Sequence, residues 1–464
     1  MTDLRASEAD LKRALRRIET HTPFAEVLAQ RTLGGGVRVD ARAVAVQGEP
    51  RLQGAVFRVW GGNRWLEAAT SGLEPHALSA AVESLQSELS RGGSRAAPPG
   101  ESATTVGEWV TDTPRPMASI GNEEMLKLAR DVLSWAISVR GVQDARVGVG
   151  WADDERLYLN TAGARSFQNV KHVRGSVAPI VHENGRVEFD YLSEGGLGGY
   201  ERLSFLTEPA VRDIAEGAKA LLHAKSPPRG KMSVLLDPGV AGLFAHESFG
   251  HGTEADQFLR DRSYLKPILG QVVGPDFLTI VDNGALPTGW GSIYYDDEGH
   301  PAQRTELIRE GRFVGALHDR ETAAAMGAKA TGNTRRADFL SRAFVRMTNT
   351  YVEPQDWSYE ELVAETKDGV ILEHGTSGIE DPQGGQMQFK VKKGHRIEHG
   401  KVTDLVTSMA LSGSVLEFLK SIRGIGDAKG FDIAPGSCGK GHTDLLTSGT
   451  GGAYLLSTAI VGPA

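Results

Sequence analysis

Among 464 residues there is one cysteine, Cys438. Intramolecular disulfides are therefore excluded, which suits a reducing compartment. No run approaches the roughly eighteen apolar residues that a membrane span needs. No concentrated basic block occurs either. The 59 acidic and 51 basic residues give a formal net charge of −8, so a nucleic-acid partner is not expected. The opening "MTDLRASEADLKRALRR" is charged and helical in pattern, without the apolar core of a secretion signal. Together these absences lead to the expectation of a cytoplasmic protein with neither a membrane nor a nucleic acid as partner.

What is present is ordinary globular material, 40% hydrophobic and 24% charged. The length calls for two or three domains. Ser7 is placed to cap a first helix with Leu11, Leu15 and Ile18 on one face. Alternating runs such as "GVRVDARAVAV" and "GAVFRVW" predict antiparallel strands, and Leu78, Val82, Leu85 and Leu89 mark a second amphipathic helix. Residues 91–117, rich in Gly, Pro and small polar residues, predict a mobile loop. The order then repeats: a helix from about 122 to 139, strands at "ARVGVGW", "RLYLN" and "RVEFDYL", and a helix capped by Thr207 with Pro209 in its first turn. "SPPRG" at 226–230 divides the chain. Residues 1–225 are expected to form an α/β domain of helices and antiparallel strands. Residues 226–464 are expected to form an antiparallel, barrel-like or sandwich domain, the whole being α+β.

The stretch "DPGVAGLFAHESFGHGTEAD" carries the chemistry. Asp237 and Pro238 start a helix that includes His246, Glu247 and His251. On a regular helix, residues five apart point about 140° away from each other, and residues four apart about 40°. Two histidines five apart meet one metal only if the helix widens by a residue or unwinds, and Gly250 and Gly252 make that break cheap. A hydrolytic zinc needs a third ligand and a neighbouring carboxylate to take a proton from water. Glu247 supplies the carboxylate. Glu254 and Asp256 are local candidates for the ligand, with His442 and Cys438 in "APGSCGKGH" as distant ones. Cys438 is preferred, because thiolate is a strong zinc donor and the surrounding glycines let the backbone approach closely.

These two segments, with "TGNTRRADF", "VRMTNTYVEP" and "GGQMQFKV" in the same order, resemble the TldD/PmbA family of metalloproteases, in its metal-bearing branch. The resemblance implies zinc held by His246, His251 and Cys438, with Glu247 as general base. It implies an N-terminal α/β domain and a C-terminal barrel-like sheet around the zinc helix. It also implies a dimer, either of identical chains or with a TldE/PmbA-like partner lacking the metal motif. The substrates implied are unfolded or short peptides.

An oxyanion donor is expected too, with His442, Arg335 and Arg336 as candidates. "GTSGIEDPQGGQMQF" and "TSGTGGAYLL" are candidate sheet edges on which an extended peptide could pair. Two other functions fit the same residues: a biosynthetic amidase acting on one peptide-like metabolite, and a non-catalytic subunit that keeps the zinc residues as structure.

Overall fold

The periodic runs fold as their spacing demands in a computed structural model that describes residues 4–48, 52–91, 97–440 and 446–464. The first helix, Glu8–Glu19, buries Leu11, Leu15 and Ile18. Ser7 stands at its cap position in a helical conformation and makes no side-chain bond, because a 3-10 turn, Leu4–Ser7, precedes it. The helices Pro75–Leu89 and Asn122–Ile137 follow the predicted faces. Thr207 caps Glu208–Leu221 by accepting the Ala210 N–H.

Four of these helices cover one nine-stranded sheet. Its main path runs through the strands Trp65–Thr70, Leu52–Trp60, Ala25–Val39, Val142–Asn160, Arg165–Glu183 and Val106–Val110. The first two helices pack on one core, around Val27, Phe57 and Leu159. The other two pack on a second, around Val147, Val173 and Val177.

"ARVGVGW" and "RLYLN" are not separate strands but parts of one, 19 residues long. The charged run Asp153–Arg156 between them hid the continuity. It stays in register because its charges find partners: Arg156 bonds Asp154 at 2.8 Å and Asp297 at 2.6 Å. Within 91–117, residues 92–96 lie outside the described residues. The segment Val106–Val110, expected to be loop, pairs in parallel with residues 165–169.

Beyond residue 229 the strands Gly230–Leu236, Gly369–Glu380, Gln386–Glu398, Met409–Ser414 and Leu455–Pro463 pair in that order, and the last closes back on the first. The result is a five-stranded barrel, antiparallel except where Gly230–Leu236 meets Gly369–Glu380. The strands Gln386–Glu398 and Lys401–Val406 are joined by a tight turn with His399 and Gly400 both at positive φ.

Beside the barrel lies a six-stranded sheet that ends with Ile280–Asn283, Asn349–Val352, Leu446–Gly452 and Asp432–Cys438. "TSGTGGAYLL" is therefore interior, since Leu446–Gly452 has a strand on each side. The edge is Asp432–Cys438. Between barrel and sheet runs the helix that begins at Pro238, with Val240, Phe244 and Phe249 buried in the largest apolar core. No helix among the described residues is long and apolar enough to cross a membrane.

Candidate metal centre

Asp237 accepts the Val240 N–H at 2.7 Å and starts the helix. The helix is α-helical over Pro238–Leu243, then widens into a π-helical turn over Phe244–Gly250. At its end the His251 N–H donates to the carbonyl of His246, five residues back. The extra residue per turn cancels the divergence that a regular helix imposes on positions five apart. The two imidazoles meet edge to face, with ring centroids 5.1 Å apart. Small residues make room for the wide turn: a Cβ on Gly250 would stand 2.1 Å from Met347 Sδ.

Cys438 arrives from the edge strand. Its Sγ lies 3.1 Å from His251 Nε2. One ligand atom from each of His246, His251 and Cys438 falls within 4.8 Å of the others. Burial pushes the Cys438 thiol up, but His246 and His251 outweigh it and draw its pKa down to about 5. At neutral pH the group is a thiolate. The Nδ1 of His246 is buried with no partner among the described residues. Two imidazoles and a thiolate, one ring nitrogen left unsatisfied, are a donor set that suits zinc.

Glu254 and Asp256 are not part of that set. Glu254, fully buried, turns an oxygen to His251 Nδ1 at 3.4 Å and ion-pairs with Arg346 at 3.2 Å and Lys440 at 2.9 Å. Burial raises its carboxyl, yet Lys440, His251 and Arg346 prevail and hold it well below the usual range. Its contact fixes the ring so that Nε2 faces Cys438. Asp256 pairs with Lys440 at 2.6 Å. Arg346 also donates to the Cys438 carbonyl at 3.0 Å, so one guanidinium braces both segments.

Glu247 stands beside the group, its carboxylate 3.8 Å from His251 Nε2 and its side chain 26% exposed. The strand Gly369–Glu380 crosses it so closely that a Cβ on Gly378 would come within 2.7 Å of Glu247 Cγ. Further along, burial, opposed by His251 and reinforced by Glu247, raises the Glu380 carboxyl to about 8.

The expected oxyanion donors fare differently. Arg335 is committed to the carbonyls of Met347 and Thr447. Arg336 pairs with Glu67 and bonds the Ser341 carbonyl. Both are structural. His442 lies outside the described residues.

His246 and Glu247 open onto a cleft of about 730 Å³. One wall is the edge strand Asp432–Cys438, which among the described residues pairs only with Leu446–Gly452. Another is residues 374–378, which have Lys390, Phe389 and their neighbours on one side and, among the described residues, no strand on the other. The third comes from residues 191–194 of the N-terminal sheet. His374 belongs to this cleft, at φ +58° with Nδ1 2.8 Å from Asp190. Nothing in its sequence neighbourhood announced it. Only the left-handed backbone and the buried aspartate, 184 residues away, mark the position.

Residues 229–456 match the family model of the PmbA/TldA metallopeptidase C-terminal domain. A metalloprotease of Methanocaldococcus jannaschii is 34% identical over 317 residues, 68% of this chain and 69% of its own. A zinc metalloprotease TldD homolog of Saccharolobus solfataricus is 33% identical over 230 residues, covering 49% of this chain and 51% of its own. In fold, TldE from Thermococcus kodakarensis superposes with a TM-score of 0.77 at 16% identity, covering 98% of this chain and 100% of that one.

Proposed function

The chain belongs to the PmbA/TldD metallopeptidase family and is a metalloprotease, and from that premise we propose a zinc-dependent peptidase that cuts extended, unfolded peptides with Glu247 as general base. The observation that carries the reading is the convergence of His246, His251 and Cys438 on one point. The π-helical turn and the brace of Glu254 and Arg346 give that convergence a structural cause. Zinc held by these three side chains supplies Lewis acidity, polarising a carbonyl and making water a stronger acid.

The protein's own residues do the rest. Glu247, partly exposed to the cleft, accepts a proton from water on its carboxylate and returns it to the leaving amine nitrogen. Glu254 keeps the His251 ring in one orientation. The free edge of Asp432–Cys438 leads straight to the thiolate, and a peptide pairing along it presents its main chain rather than its side chains. Such pairing reads little sequence and requires an unfolded segment. The fold shared with TldE supports assembly with a second chain of the same architecture, a copy of itself or a TldE-like one. The lone cysteine and the absence of a basic block support a cytoplasmic setting without nucleic acid.

Metal analysis of the purified chain, with cleavage of a reduced unfolded protein against its native form, tests the reading. One zinc per chain and cleavage of the unfolded form alone are expected. Cys438→Ser is expected to lose stoichiometric zinc. Full zinc and activity in that variant would refute the ligand set. Zinc without activity until a TldE-like chain is added would make the partner obligatory.

A further inference from the structure

Four acidic residues and a single arginine are found among the described residues of the cleft wall. Glu194, Asp237, Glu247 and Asp432 line it, and Arg174 is the one arginine or lysine among its described lining residues. Arg174 lies on the strand Arg165–Glu183, opposite Gly195. Its Nε donates to Ser193 Oγ at 3.0 Å, and among the described residues no carboxylate pairs with its terminal nitrogens. Glu194 is next to Ser193 but projects from the other side of the same strand, as successive strand residues do.

A half-buried guanidinium is costly to leave without an anion, and its planar fork matches a carboxylate in two parallel bonds. The wall around it is stiff. Tyr191 donates to the Gly375 carbonyl at 3.0 Å, and its ring lies 5.0 Å from that of His374. His374 in turn is pinned by Asp190 at 2.8 Å, which Lys393 also holds at 2.6 Å.

We propose that Arg174 is a specificity-determining residue that binds a carboxylate of the peptide substrate, either its C-terminal carboxylate or an acidic side chain. The site's place in the cleft sets where that carboxylate must stand. Gly375, held by Tyr191, packs against Leu243 and Val240, whereas Gly378 packs against Glu247. A bulge lies between them, so they face Val391 and Phe389, two residues apart on the neighbouring strand, or about 7 Å at the usual rise. The carboxylate therefore stands about two residues of extended peptide from the bond that is cut. This inference rests on the peptidase reading and adds a substrate preference to it.

Binding separates the two. Zinc-loaded Glu247→Gln chain is titrated with fluorescent peptides of one sequence, ending in a free acid or an amide. A second, amidated pair carries Asp or Asn two residues from the expected cut. The acid-bearing member of at least one pair is expected to bind about ten- to a hundredfold more tightly. The pair that discriminates identifies the source of the carboxylate. Arg174→Met is expected to erase the difference, and Arg174→Lys to keep part of it. Equal binding of acid and neutral forms by the Arg174-containing chain overturns the proposal and leaves the peptidase reading standing. That comparison needs no Arg174 variant to fold. Failure of every peptide to bind, whatever its charge and with or without a TldE-like chain present, removes both.

Discussion

Glu254 stands behind His251 with two cations on it, one oxygen shared between the imidazole and Lys440 and the other on Arg346. A glutamine there keeps the shape but loses the charge that steadies the ring. Glu254→Gln is expected to weaken zinc binding by about ten- to a hundredfold, read by competition with a chelator. The residue was visible in the sequence, three positions after His251, but as an alternative ligand. Proximity along the chain says that a carboxylate is near, not which way it turns, and Arg346 and Lys440, 92 and 186 positions away, decide that. That His246, Glu247 and Cys438 would lie together was legible because few other side chains do such chemistry and because short motifs carried them. Arg174 and His374 were not, since a lone arginine and a lone histidine gain meaning only from walls that the fold assembles.

At the level of elements, the wide helical turn is the feature on which the site depends. The spacing of five between the histidines required some break in the helix, and the structure makes it a π-helical turn rather than an unwound end. The preceding α-helical segment lies directly against the strand Leu446–Gly452. A Cβ on Gly242 would fall 2.0 Å from the Gly451 nitrogen. Backbone cannot yield as a side chain can, so Gly242→Ala is expected to destabilise the protein by about 3 kcal/mol and lower its metal affinity with it. Urea unfolding and metal titration check this together. Helices with clean apolar periodicity were readable to within a turn. The strand Val106–Val110 was not, because it sits in a segment whose glycines and prolines dominate the local signal and its pairing is supplied by residues 165–169.

For the molecule as a whole, buried charges join the nine-stranded sheet to the rest. Arg156 bonds Asp297, and Arg58 bonds Glu298 at 2.5 Å. Arg156→Met leaves Asp154 and Asp297 without their cation and is expected to cost about 3–5 kcal/mol. Unfolding should remain one transition, because the nine-stranded sheet shares this charge network with the loop before Arg304–Arg309 of the six-stranded sheet, and two separated transitions would contradict that.

A weaker tie is Glu8, which holds the first helix to Arg165 at 2.7 Å. Arg165, with Lys12 helping, outweighs the effect of burial and lowers its carboxyl to about 2. A carboxyl lowered in the folded state stabilises above its unfolded pKa and loses that contribution as pH falls through the folded one. Glu8→Gln should therefore be slightly less stable at pH 7, by under about 1 kcal/mol at this partly exposed surface site. The gap to the parent should close between about pH 4.5 and 2.

The edge strand that borders the cleft contains Pro435, midway between Asp432 and Cys438. Proline offers no N–H, so the outward row of donors is broken there. An unbroken open edge would invite neighbouring copies to zip onto it and aggregate, the usual hazard of an uncovered strand. A peptide bound there as proposed, and released once cut, would tolerate one missing bond, whereas a stack of identical chains cannot do so at every layer without weakening. Solubility and access are thus reconciled by a single ring in the chain.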